Sequence, residues 1–458
     1  MRHDVVVIGG GSAGYAAANR LHAGGAEVAV VDPGPLGGLC ILRGCMPTKA
    51  ILRSAEIAAL IRQAPEFGLQ PGALQVDLGA ILDRKDRLVH EFAAYRREQL
   101  RDGRFVLYEA RARFVSPRQI QAAEQILTAD SFIIATGSVP GHVPVPGLDA
   151  AGYITSDEAL ELRRLPPTLI VLGGGPVALE LAQFYQRLGS QVTLIQRSHH
   201  VLSQGDEDIA RPLEQRLREE GMQVYTGTQL REFSVADGLK VAGFHHEGTY
   251  RQVTGHQILQ AMGRRSCIDG LALEAAGVEV EEGRIRVNSE MRTSQPHIYA
   301  VGDVNGVHET VHLAIQQGEV AAHNALHPGG PAHRLDERLT AEVVFTDPQV
   351  AGVGLCEMQC QDLDIPYLTA SYPFADHGKA LCLGVPHGHV KLLCQPRTGD
   401  LLGAHIVGAE AGELIHEMIA VMHFHGTVHD LCRIPHYHPT LSEILTYPAE
   451  ELQERLGR

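Results

Sequence analysis

The apolar positions of the chain form two segments that repeat the same order. In the first, the apolar residues 5–8 lead into a glycine-rich turn and then an alanine-rich stretch to about residue 23. In the second, the apolar residues 169–172 lead into a similar turn and a mainly apolar stretch over 179–188. A short apolar run that ends in glycine predicts a buried strand, and the longer stretch after it predicts a helix. A second apolar run follows each segment, so we predict two βαβ units.

The rest of the chain shows a coarser pattern. Helices are predicted over 51–62 and 78–101, a short strand over 131–136, and a proline-rich linker over 140–146. Further strands are predicted at 297–301, 340–345, 390–393 and 402–407, with a helix at 413–424. The pattern breaks around 328–331, so the part after it is predicted to be a separate α+β unit.

Length, charge and cysteine count narrow the class of protein. The 458 residues suffice for about three domains. The formal charge of -15 argues against a nucleic-acid partner, and no apolar stretch is long enough to span a membrane. The fold begins at residue 5 without a secretory signal, so we expect a cytoplasmic protein. Eight cysteines are too few for a disulfide scaffold, so a close pair is expected to be catalytic or metal-binding.

The first glycine turn has the spacing of a dinucleotide-binding site. Gly9 permits the tight turn, Gly11 lets the backbone approach a pyrophosphate, and Gly14 allows the helix to pack closely on the strand. The helix N-terminus offers N–H groups and a favourable dipole to the phosphates. Asp32 ends the second strand, where its carboxylate can accept a hydrogen bond from a ribose hydroxyl. These features together predict a nucleotide site.

The second glycine turn predicts a second nucleotide site with a different preference. Gly173, Gly175 and Ala178 occupy the three small-residue positions. The acid that favours NAD is missing, because Gln196 ends the second strand and Arg197 follows it. An arginine can pair with a 2′-phosphate that a carboxylate would repel, so we expect NADP(H). The alternative is that Arg197 is a solvated surface residue and the site accepts NAD, or both nucleotides.

The strongest chemical signal is the pair Cys40 and Cys45 in the segment 37–49. In a regular helix their Cα atoms would lie about 8.6 Å apart, beyond the roughly 7 Å that a disulfide can span. The segment is therefore predicted to bend, and Gly44 is the residue that permits the bend. A disulfide held in a bent turn is easier to reduce than a structural one. Metal binding is the alternative, but no second Cys/His pair stands nearby at zinc spacing.

This segment resembles the redox-active disulfide of the class I pyridine nucleotide–disulfide oxidoreductases. That family includes dihydrolipoamide dehydrogenase, glutathione reductase and mercuric reductase. The resemblance continues along the whole chain, through both glycine turns, residues 135–137, Glu180, and the segments 261–264, 293–303, 345–348 and 438–443. It implies an FAD-dependent enzyme that passes electrons between a nicotinamide nucleotide and a dithiol or disulfide.

The resemblance also implies a role for each matching residue on the cofactor side. Cys45 would lie against the flavin and form the charge-transfer thiolate. Lys49 would lie near the flavin N5 and pair with Glu180, and Asp303 would bind the ribityl chain. The remaining cofactor-binding positions implied by the motifs are Gly137, Gly302 and Gly263.

On the substrate side, Cys40 would be the thiol that exchanges with the substrate. His438, oriented by Glu443, would be the acid–base and would act across a dimer interface on the partner's Cys40. The chemistry supports these roles, because a thiolate attacks a disulfide and a base must hold the proton. Histidine titrates near neutral pH, and a carboxylate behind it fixes the tautomer.

The resemblance implies an α/β fold with two Rossmann-like dinucleotide-binding domains and a C-terminal α+β dimerisation domain. We predict an FAD-binding domain in two parts, 1–145 and 266–335, an NAD(P)-binding domain over 146–265, and an interface domain over 336–458. The expected assembly is a homodimer.

Several positions depart from the usual family pattern and leave the subfamily open. Asp32 replaces the commoner glutamate, and Pro176 occupies the place of a tyrosine in glutathione reductases. Residues 41–44 differ from the residues that usually stand between the two cysteines in this family. Residues 453–458 carry no cysteine pair of the kind that mercuric reductases use. A soluble transhydrogenase would lack one of the two cysteines.

Two functional classes remain from the sequence. One is an enzyme of the dihydrolipoamide dehydrogenase or low-molecular-weight disulfide reductase type. The other is a flavoprotein redox sensor or assembly partner without useful turnover. The first is favoured because the chain keeps Cys40, Cys45, Lys49, His438 and Glu443. The segment 436–443 favours a lipoyl-like dithiol, for instance on a carrier protein, whereas Arg197 favours an NADPH-using reductase.

Two further groups of residues have weaker signals. The histidines of the C-terminal part are read as scattered surface and interface residues rather than a metal site: His405, His416, His423, His425, His429, His436 and His438. Cys356 and Cys360 are four apart, so a disulfide is geometrically conceivable, but two thiols are expected in a reducing compartment.

Overall fold

The computed structural model describes residues 1–457, and Arg458, the last residue of the predicted interface domain, lies outside them. The chain divides into two compact units, each assembled from three segments. The first unit contains residues 1–51, 79–142 and 263–335, and the second contains 52–78, 143–262 and the chain from 336 onward. The mixed α/β architecture confirms the predicted fold class. Among the described residues, no helix has both the length and the apolar character needed to cross a bilayer.

The first unit contains seven parallel and antiparallel strands in one sheet, with short strand pairs beside it. Its strands are Arg2–Ile8, Val28–Val31, Val106–Tyr108, Ala112–Ser116, Gln119–Ala122, Gln125–Ile134, Ser138–Pro140, Arg264–Ser266, Val280–Glu281, Arg284–Ile285 and Ile298–Ala300. Its helices are Ser12–Ala23, Gly38–Arg43, Leu78–Arg101, Leu273–Ala276 and Val311–Leu326, with a 3-10 turn at Gly302–Asn305. The helix Cys45–Gln63 contributes to both units.

The N-terminal strand is buried on both faces. Val5 and Val7 belong to one apolar cluster, whereas Val6 and Ile8 belong to another on the opposite face. Successive side chains of a strand point to opposite faces, so a strand covered on both sides reads as a continuous apolar run. This explains why the sequence shows no polar alternation at this point.

The carboxyl ends of four parallel strands are in register. Ile8, Val31, Ile134 and Ala300 lie opposite one another across this sheet. In an open α/β sheet, ligands bind at the carboxyl ends of the strands, where the connecting turns meet. The segments that follow these four residues are therefore positioned to form one site.

The second unit contains a four-stranded parallel sheet, a three-stranded antiparallel sheet and a five-stranded antiparallel sheet. Its strands are Thr168–Leu172, Gln191–Ile195, Gln223–Tyr225, Gln229–Ala236, Leu239–His246, Thr249–Gly255, Gln257–Gln260, Ala341–Val344, Gln349–Gly354, Leu368–Pro373, His389–Cys394 and Leu401–Gly408. Its helices are Leu148–Ala151, Ser156–Ala159, Pro176–Leu188, Glu207–Glu219, Glu357–Asp362, Gly378–Leu383, Ala411–His423, Val428–Arg433 and Thr446–Arg455. Four 3-10 turns complete it: Ala64–Phe67, Glu337–Leu339, Phe374–Asp376 and Ser442–Leu445.

Several predicted elements are confirmed, and two begin six residues earlier than predicted. The helix Leu78–Arg101 has the predicted limits, and the apolar run predicted to follow the second segment is the strand Gln191–Ile195. The helix predicted over 51–62 begins earlier, at Cys45, because the cysteine segment starts it. The strand predicted over 131–136 is the end of the longer strand Gln125–Ile134, whose first part is only half-buried and therefore more polar.

Candidate active site

The first glycine turn brings the backbone closer to its neighbours than side chains would allow. Gly9 has a φ of 107°, and a Cβ there would lie 2.3 Å from the backbone oxygen of Ala135. A Cβ on Gly14 would lie 1.9 Å from the oxygen of Gly9. Only glycine tolerates these contacts. The turn therefore leads directly into the helix Ser12–Ala23, as a phosphate-binding turn requires.

Asp32 holds this turn closed. Its Oδ2 accepts a hydrogen bond from the N–H of Gly10 at 2.7 Å, and its Oδ1 accepts one from the N–H of Gly34 at 2.7 Å. An ionised carboxylate has about four lone-pair positions, so acceptor capacity remains for a ribose hydroxyl. The predicted ribose contact of Asp32 is compatible with this geometry.

The cysteine-bearing helix begins directly against the glycine turn. Gly38 has a φ of 73°, and a Cβ there would lie 2.6 Å from the Cα of Gly11. The helix Gly38–Arg43 therefore starts in backbone contact with the nucleotide-binding turn. Gly38 was not among the predicted site residues, although the double glycine at 37–38 is visible in the sequence.

The same edge of the sheet carries open backbone and unsatisfied hydroxyls. No atom lies within 4 Å of an ideal Cβ at Gly137. The Oγ1 atoms of Thr136 and Thr310 are buried and hydrogen-bond nothing in residues 1–457. Buried polar atoms normally have partners, so this edge fits a polar ligand. The residues present therefore fit the FAD that the cysteine motif implies.

Asp303 is fixed at this edge by a short chain of hydrogen bonds. The Oγ of Ser138 donates to Asp303 Oδ2 at 2.6 Å. Arg264 donates from Nε to that Oγ at 2.7 Å and from Nη2 to the Ser138 carbonyl at 3.0 Å. Ser138 follows the predicted Gly137 by one residue, but serine is too common for its sequence to indicate this contact.

Gly302 lies in a tight position rather than an open one. A Cβ there would lie 3.3 Å from the Cβ of Ala314 and 3.4 Å from that of Ala13. Its N–H donates to Gln317 Oε1 at 2.7 Å. Gly302 therefore lies between two helices and positions the neighbouring Asp303.

The second glycine turn repeats the geometry of the first. Gly173 has a φ of 113°, and a Cβ there would lie 2.4 Å from the backbone oxygen of Ala261. Gly175 and Gly263 have no atom within 4 Å of an ideal Cβ, so their backbone is open to a ligand. The helix Pro176–Leu188 begins immediately after the turn.

Gln196 occupies the same position in the second nucleotide site that Asp32 occupies in the first. A Cβ on Gly174 would lie 3.0 Å from Gln196 Cδ, just as one on Gly10 would lie 3.2 Å from Asp32 Oδ2. A neutral amide therefore replaces a carboxylate at the equivalent position. Arg197, the next residue, is exposed and forms no ion pair in the described part of the chain.

The cysteine segment 37–49 bends at Gly44, between the two cysteines that a continuous helix would hold too far apart for a disulfide. The helix Gly38–Arg43 ends before Gly44, whose φ is -125° and ψ is -112°, and a new helix begins at Cys45. Thr48 Oγ1 donates to the carbonyl of Gly44 at 2.7 Å and so holds the bend from the second helix. The predicted bend at Gly44 is confirmed.

The two thiols interact and differ in their surroundings. A hydrogen bond to Cys45 raises the pKa of the Cys40 thiol, burial and the charge of Cys45 raise it further, and the charge of Lys49 opposes them. Both side chains are half-buried. Cys45 is the first residue of a 19-residue helix, where the helix dipole favours a thiolate. The two thiols therefore titrate as a coupled pair, in which the pKa of Cys40 is raised.

His438 and Glu443 form a directed pair in the second unit. The Nδ1 of His438 lies 2.9 Å from Glu443 Oε2 and 3.2 Å from Oε1. The side chain of His438 is 81% exposed, whereas that of Glu443 is 10% exposed. With Nδ1 donating to the carboxylate, Nε2 is the nitrogen available for proton transfer.

Glu443 also faces a second histidine that sequence reasoning missed. The Nε2 of His377 lies 3.3 Å from Glu443 Oε1, and the side chain of His377 is fully buried. The ring of Tyr447 packs edge-on against it, with 6.1 Å between ring centroids. His377 is remote from His438 in the sequence and has no motif around it, so only the tertiary fold brings the three residues together.

We expect His377→Leu to lower disulfide turnover about tenfold, because the Glu443 carboxylate loses the imidazole whose Nε2 lies 3.3 Å from its Oε1. His377→Gln can place an amide N–H near the position of Nε2 and should stay within about twofold of the wild type. Stopped-flow measurement should show an unchanged rate of flavin reduction by the nicotinamide nucleotide in both variants. Equal turnover in the leucine variant and the wild type would show that His377 does not position Glu443.

Glu180 lies on the helix of the second nucleotide site and is buried. Its Oε1 accepts a hydrogen bond from the N–H of Phe345 at 3.0 Å. One turn further, Gln183 exchanges two hydrogen bonds with the backbone of Asp347, at 2.8 Å each. The helix is thereby tied to the segment 345–348. Lys49 belongs to the first unit, so its pairing with Glu180 stays a prediction.

Within residues 1–457, no group of His, Cys, Asp and Glu side chains has an arrangement that could hold a metal ion. Cys356 and Cys360 are buried thiols at the start of the helix Glu357–Asp362. Burial raises the pKa of both thiols.

Comparison with known proteins identifies the class. The model of the pyridine nucleotide-disulphide oxidoreductases matches residues 3–318, and the model of their dimerisation domain matches residues 340–449. The dihydrolipoyl dehydrogenase of Thermus scotoductus is 38% identical over 430 residues, which cover 93% of this chain and 92% of that protein. The mercuric reductase of Staphylococcus aureus is 34% identical over 426 residues, which cover 92% of this chain and 77% of that protein.

The fold has a solved counterpart. The Cu(II) complex of the HOCl-induced flavoprotein disulfide reductase RclA from Escherichia coli superposes with a TM-score of 0.86 over 98% of this chain and 99% of that one. At 24% identity, this likeness bears on the fold alone. From the family matches and the similar sequences, the chain belongs to the class I pyridine nucleotide–disulfide oxidoreductases. It is an oxidoreductase of the flavoprotein disulfide reductase type, from a family that binds FAD and a pyridine nucleotide.

Proposed function

We propose that the protein is an NADP(H)-preferring, FAD-dependent oxidoreductase of a small dithiol or disulfide such as dihydrolipoamide, with Cys40 and Cys45 as its redox pair. The observation that carries the proposal is the geometry of the two thiols at the Gly44 bend. They interact with each other, with Cys40 on the helix that begins against the nucleotide-binding turn and Cys45 at the start of the next helix. A structural cysteine pair would need neither the contact with the turn nor the half-exposed position.

FAD, held by the first glycine turn, Asp32 and Asp303, would supply the flavin that relays an electron pair from the nicotinamide to the Cys40–Cys45 disulfide. The reduced Cys40 thiolate attacks one sulfur of the substrate disulfide, and the other sulfur leaves as a thiolate. Cys45 then attacks the Cys40 sulfur, which re-forms the internal disulfide and releases the second substrate thiolate. His438 takes the proton of the Cys40 thiol at Nε2 and gives it to the first leaving thiolate, and a second proton taken up from water serves the other, while Glu443 stabilises the imidazolium. In the direction of dithiol oxidation every step reverses.

The active protein is proposed to be a homodimer in which His438 serves the partner's Cys40. The match to the dimerisation domain supports the dimer. The exposure of His438, 81% of its side chain, also supports it, since an acid–base inside a single chain would normally be enclosed. Tyr437 beside it is 81% exposed and offers an apolar contact for a second subunit.

The neutral side chain of Gln196 and the unpaired charge of Arg197 support the preference for NADP(H). We expect Gln196→Asp to lower kcat/KM for NADPH about 100-fold, since the new carboxylate would face the 2′-phosphate. The NADH value should change much less. Gln196→Asn is the matched neutral control and should keep the NADPH preference. Equal loss with both nucleotides would show that this position does not read the 2′-phosphate.

The substrate is tested by steady-state turnover of the purified protein with dihydrolipoamide, in parallel with NAD and NADP. Rapid turnover would establish the lipoyl dithiol as a substrate. Reduction of bound flavin by NADPH without dithiol turnover would contradict the lipoyl proposal and favour another small disulfide. Absence of flavin reduction by either nucleotide would favour the redox-sensor alternative.

A further inference from the structure

A buried glutamine lies behind the turn that carries Asp303. Gln317 belongs to the helix Val311–Leu326 and is fully buried. Its Oε1 accepts a hydrogen bond from the N–H of Gly302 at 2.7 Å and another from Asn305 Nδ2 at 2.9 Å. Gly302 and Asn305 are the first and last residues of the 3-10 turn that contains Asp303. A single oxygen atom therefore holds both ends of this turn.

The two partners also fix the orientation of the Gln317 amide. Both are N–H donors, so the atom that they share is the amide oxygen and the remaining atom is the nitrogen. That nitrogen, Nε2, is buried and hydrogen-bonds nothing in residues 1–457. A buried donor without an acceptor lowers stability, which a leucine of similar size would not do. The amide of Gln317 is therefore better explained by what its oxygen holds than by packing.

Gln317 lies where two segments of the proposed FAD site meet. Gly318, the next residue, packs so closely against the neighbouring helix that a Cβ there would lie 2.4 Å from the backbone oxygen of Ala13. A Cβ on Gly302 would lie 3.4 Å from the Cβ of Ala13. Ala13 directly precedes Gly14 of the first glycine turn. The phosphate-binding turn and the 3-10 turn are thus neighbours, and Gln317 is beside the place where they meet.

The two groups that donate to Gln317 depend on it differently. Asn305 Nδ2 also donates to the carbonyl of Ala300 at 3.1 Å, and Asn305 Oδ1 accepts from the N–H of Val307 at 3.0 Å. Asn305 therefore keeps two partners when Gln317 is removed. The N–H of Gly302 instead belongs to the backbone of the turn itself, so its release would loosen the main chain of the turn.

We propose that Gln317 is a positioning residue for FAD, because it fixes the backbone at Gly302 and so the placement of Asp303 relative to the first glycine turn. The two segments are then arranged, before the cofactor binds, to hold the ribityl chain and the pyrophosphate of one molecule. Without the Gln317 amide, binding of FAD must also order the turn, which weakens binding. The proposal rests on the proposed function in that Asp303 must bind the ribityl chain of FAD.

The test measures how fast FAD leaves the holoprotein, without any turnover. The FAD-loaded protein is diluted, and the fluorescence of the released flavin gives the dissociation rate. We expect Gln317→Leu to raise this rate about tenfold, because the turn is no longer pre-organised. None of this uses a disulfide, so a failure here is distinct from a failure of dihydrolipoamide turnover, which would contradict the proposed substrate.

Two matched variants serve as controls. Gln316 is the exposed neighbour on the same helix, and Gln316→Leu should keep the dissociation rate within about twofold of the wild type. Asn305→Ala loses buried hydrogen bonds but keeps the bond from Gly302 to Gln317, so its rate should stay within about threefold.

The midpoint of thermal unfolding at saturating FAD separates positioning from stability alone. A merely structural role predicts that Gln317→Leu and Asn305→Ala lower this midpoint and accelerate FAD release to the same extent, which would overturn the proposal. An unchanged release rate in a folded Gln317→Leu protein would overturn it as well. If that variant does not fold, Gln317→Asn withdraws the amide from Gly302 by one methylene and should show the same acceleration of about tenfold. An unchanged release rate in Gln317→Asn would then overturn the proposal.

Discussion

Replacing Cys40 by serine is expected to lower turnover of any disulfide substrate by more than about 1000-fold, while FAD stays bound. The exchange needs a thiolate nucleophile and a second thiol to resolve the mixed disulfide, and serine supplies neither. Cys45→Ser should be equally inactive, because the mixed disulfide at Cys40 could not be released. Flavin absorbance of the purified variants, beside steady-state turnover, measures both parts of the expectation.

The two variants should differ in what they trap. Cys45→Ser should accumulate a mixed disulfide between Cys40 and the substrate, which intact-mass spectrometry detects, whereas Cys40→Ser should not. Cys382 is an exposed thiol outside the proposed pair, so Cys382→Ser is the matched control and should keep full turnover. Substantial turnover in either active-site variant would contradict the proposed redox pair.

Mixing two inactive variants is expected to restore activity. His438→Gln alone should lower turnover about 100- to 10,000-fold, since it removes the acid–base. If His438 serves the partner's Cys40, a mixed dimer of Cys40→Ser and His438→Gln chains contains one complete site. After subunit exchange, roughly a quarter of wild-type activity should therefore return.

The same mixture distinguishes the two arrangements of the site. If Cys40 and His438 of one chain acted together, neither chain of the mixed dimer would contain a complete site. Activity would then stay at the level of the separate variants. Glu443→Gln chains mixed with Cys40→Ser chains should behave like the His438→Gln chains, because Glu443 orients His438 within the same chain.

The parts of the fold that sequence predicted best are those set by local sterics. Gly9 and Gly173 were recognised from spacing, and both lie where any side chain would collide with a neighbouring backbone oxygen. The bend at Gly44 followed from the reach of a disulfide against helix geometry. The helix Leu78–Arg101 was predicted from its apolar period alone.

The parts that sequence missed depend on contacts between distant segments. His377 reaches Glu443 only through the fold of the second unit, and Ser138 reaches Asp303 only across the first sheet. Arg96 looks like any surface arginine of an amphipathic helix, yet its Nε and Nη1 are buried and hydrogen-bond nothing in the described chain. The sequence identified His438 only through the motif around it, since a histidine alone indicates no function. Its role as the acid–base stays a prediction.

The start of the helix Cys45–Gln63 also shows what local sequence patterns cannot decide. The helix Cys45–Gln63 was expected to begin after the cysteines, yet it starts at Cys45 and so places that sulfur at a helix N-terminus. That placement gives a physical reason for Cys45 rather than Cys40 to carry the negative charge. The bounds of the four predicted domain segments stay predictions.

The most direct test of the proposed redox pair is the number of electron pairs that the purified, FAD-loaded protein accepts from NADPH without oxygen. The wild type should accept about two pairs per FAD, one for the flavin and one for the Cys40–Cys45 disulfide. Cys40→Ser should accept about one pair. An uptake of a single pair that stays on the flavin and leaves the Cys40–Cys45 disulfide oxidised would contradict the assignment, because the two cysteines would then take no part in the electron transfer.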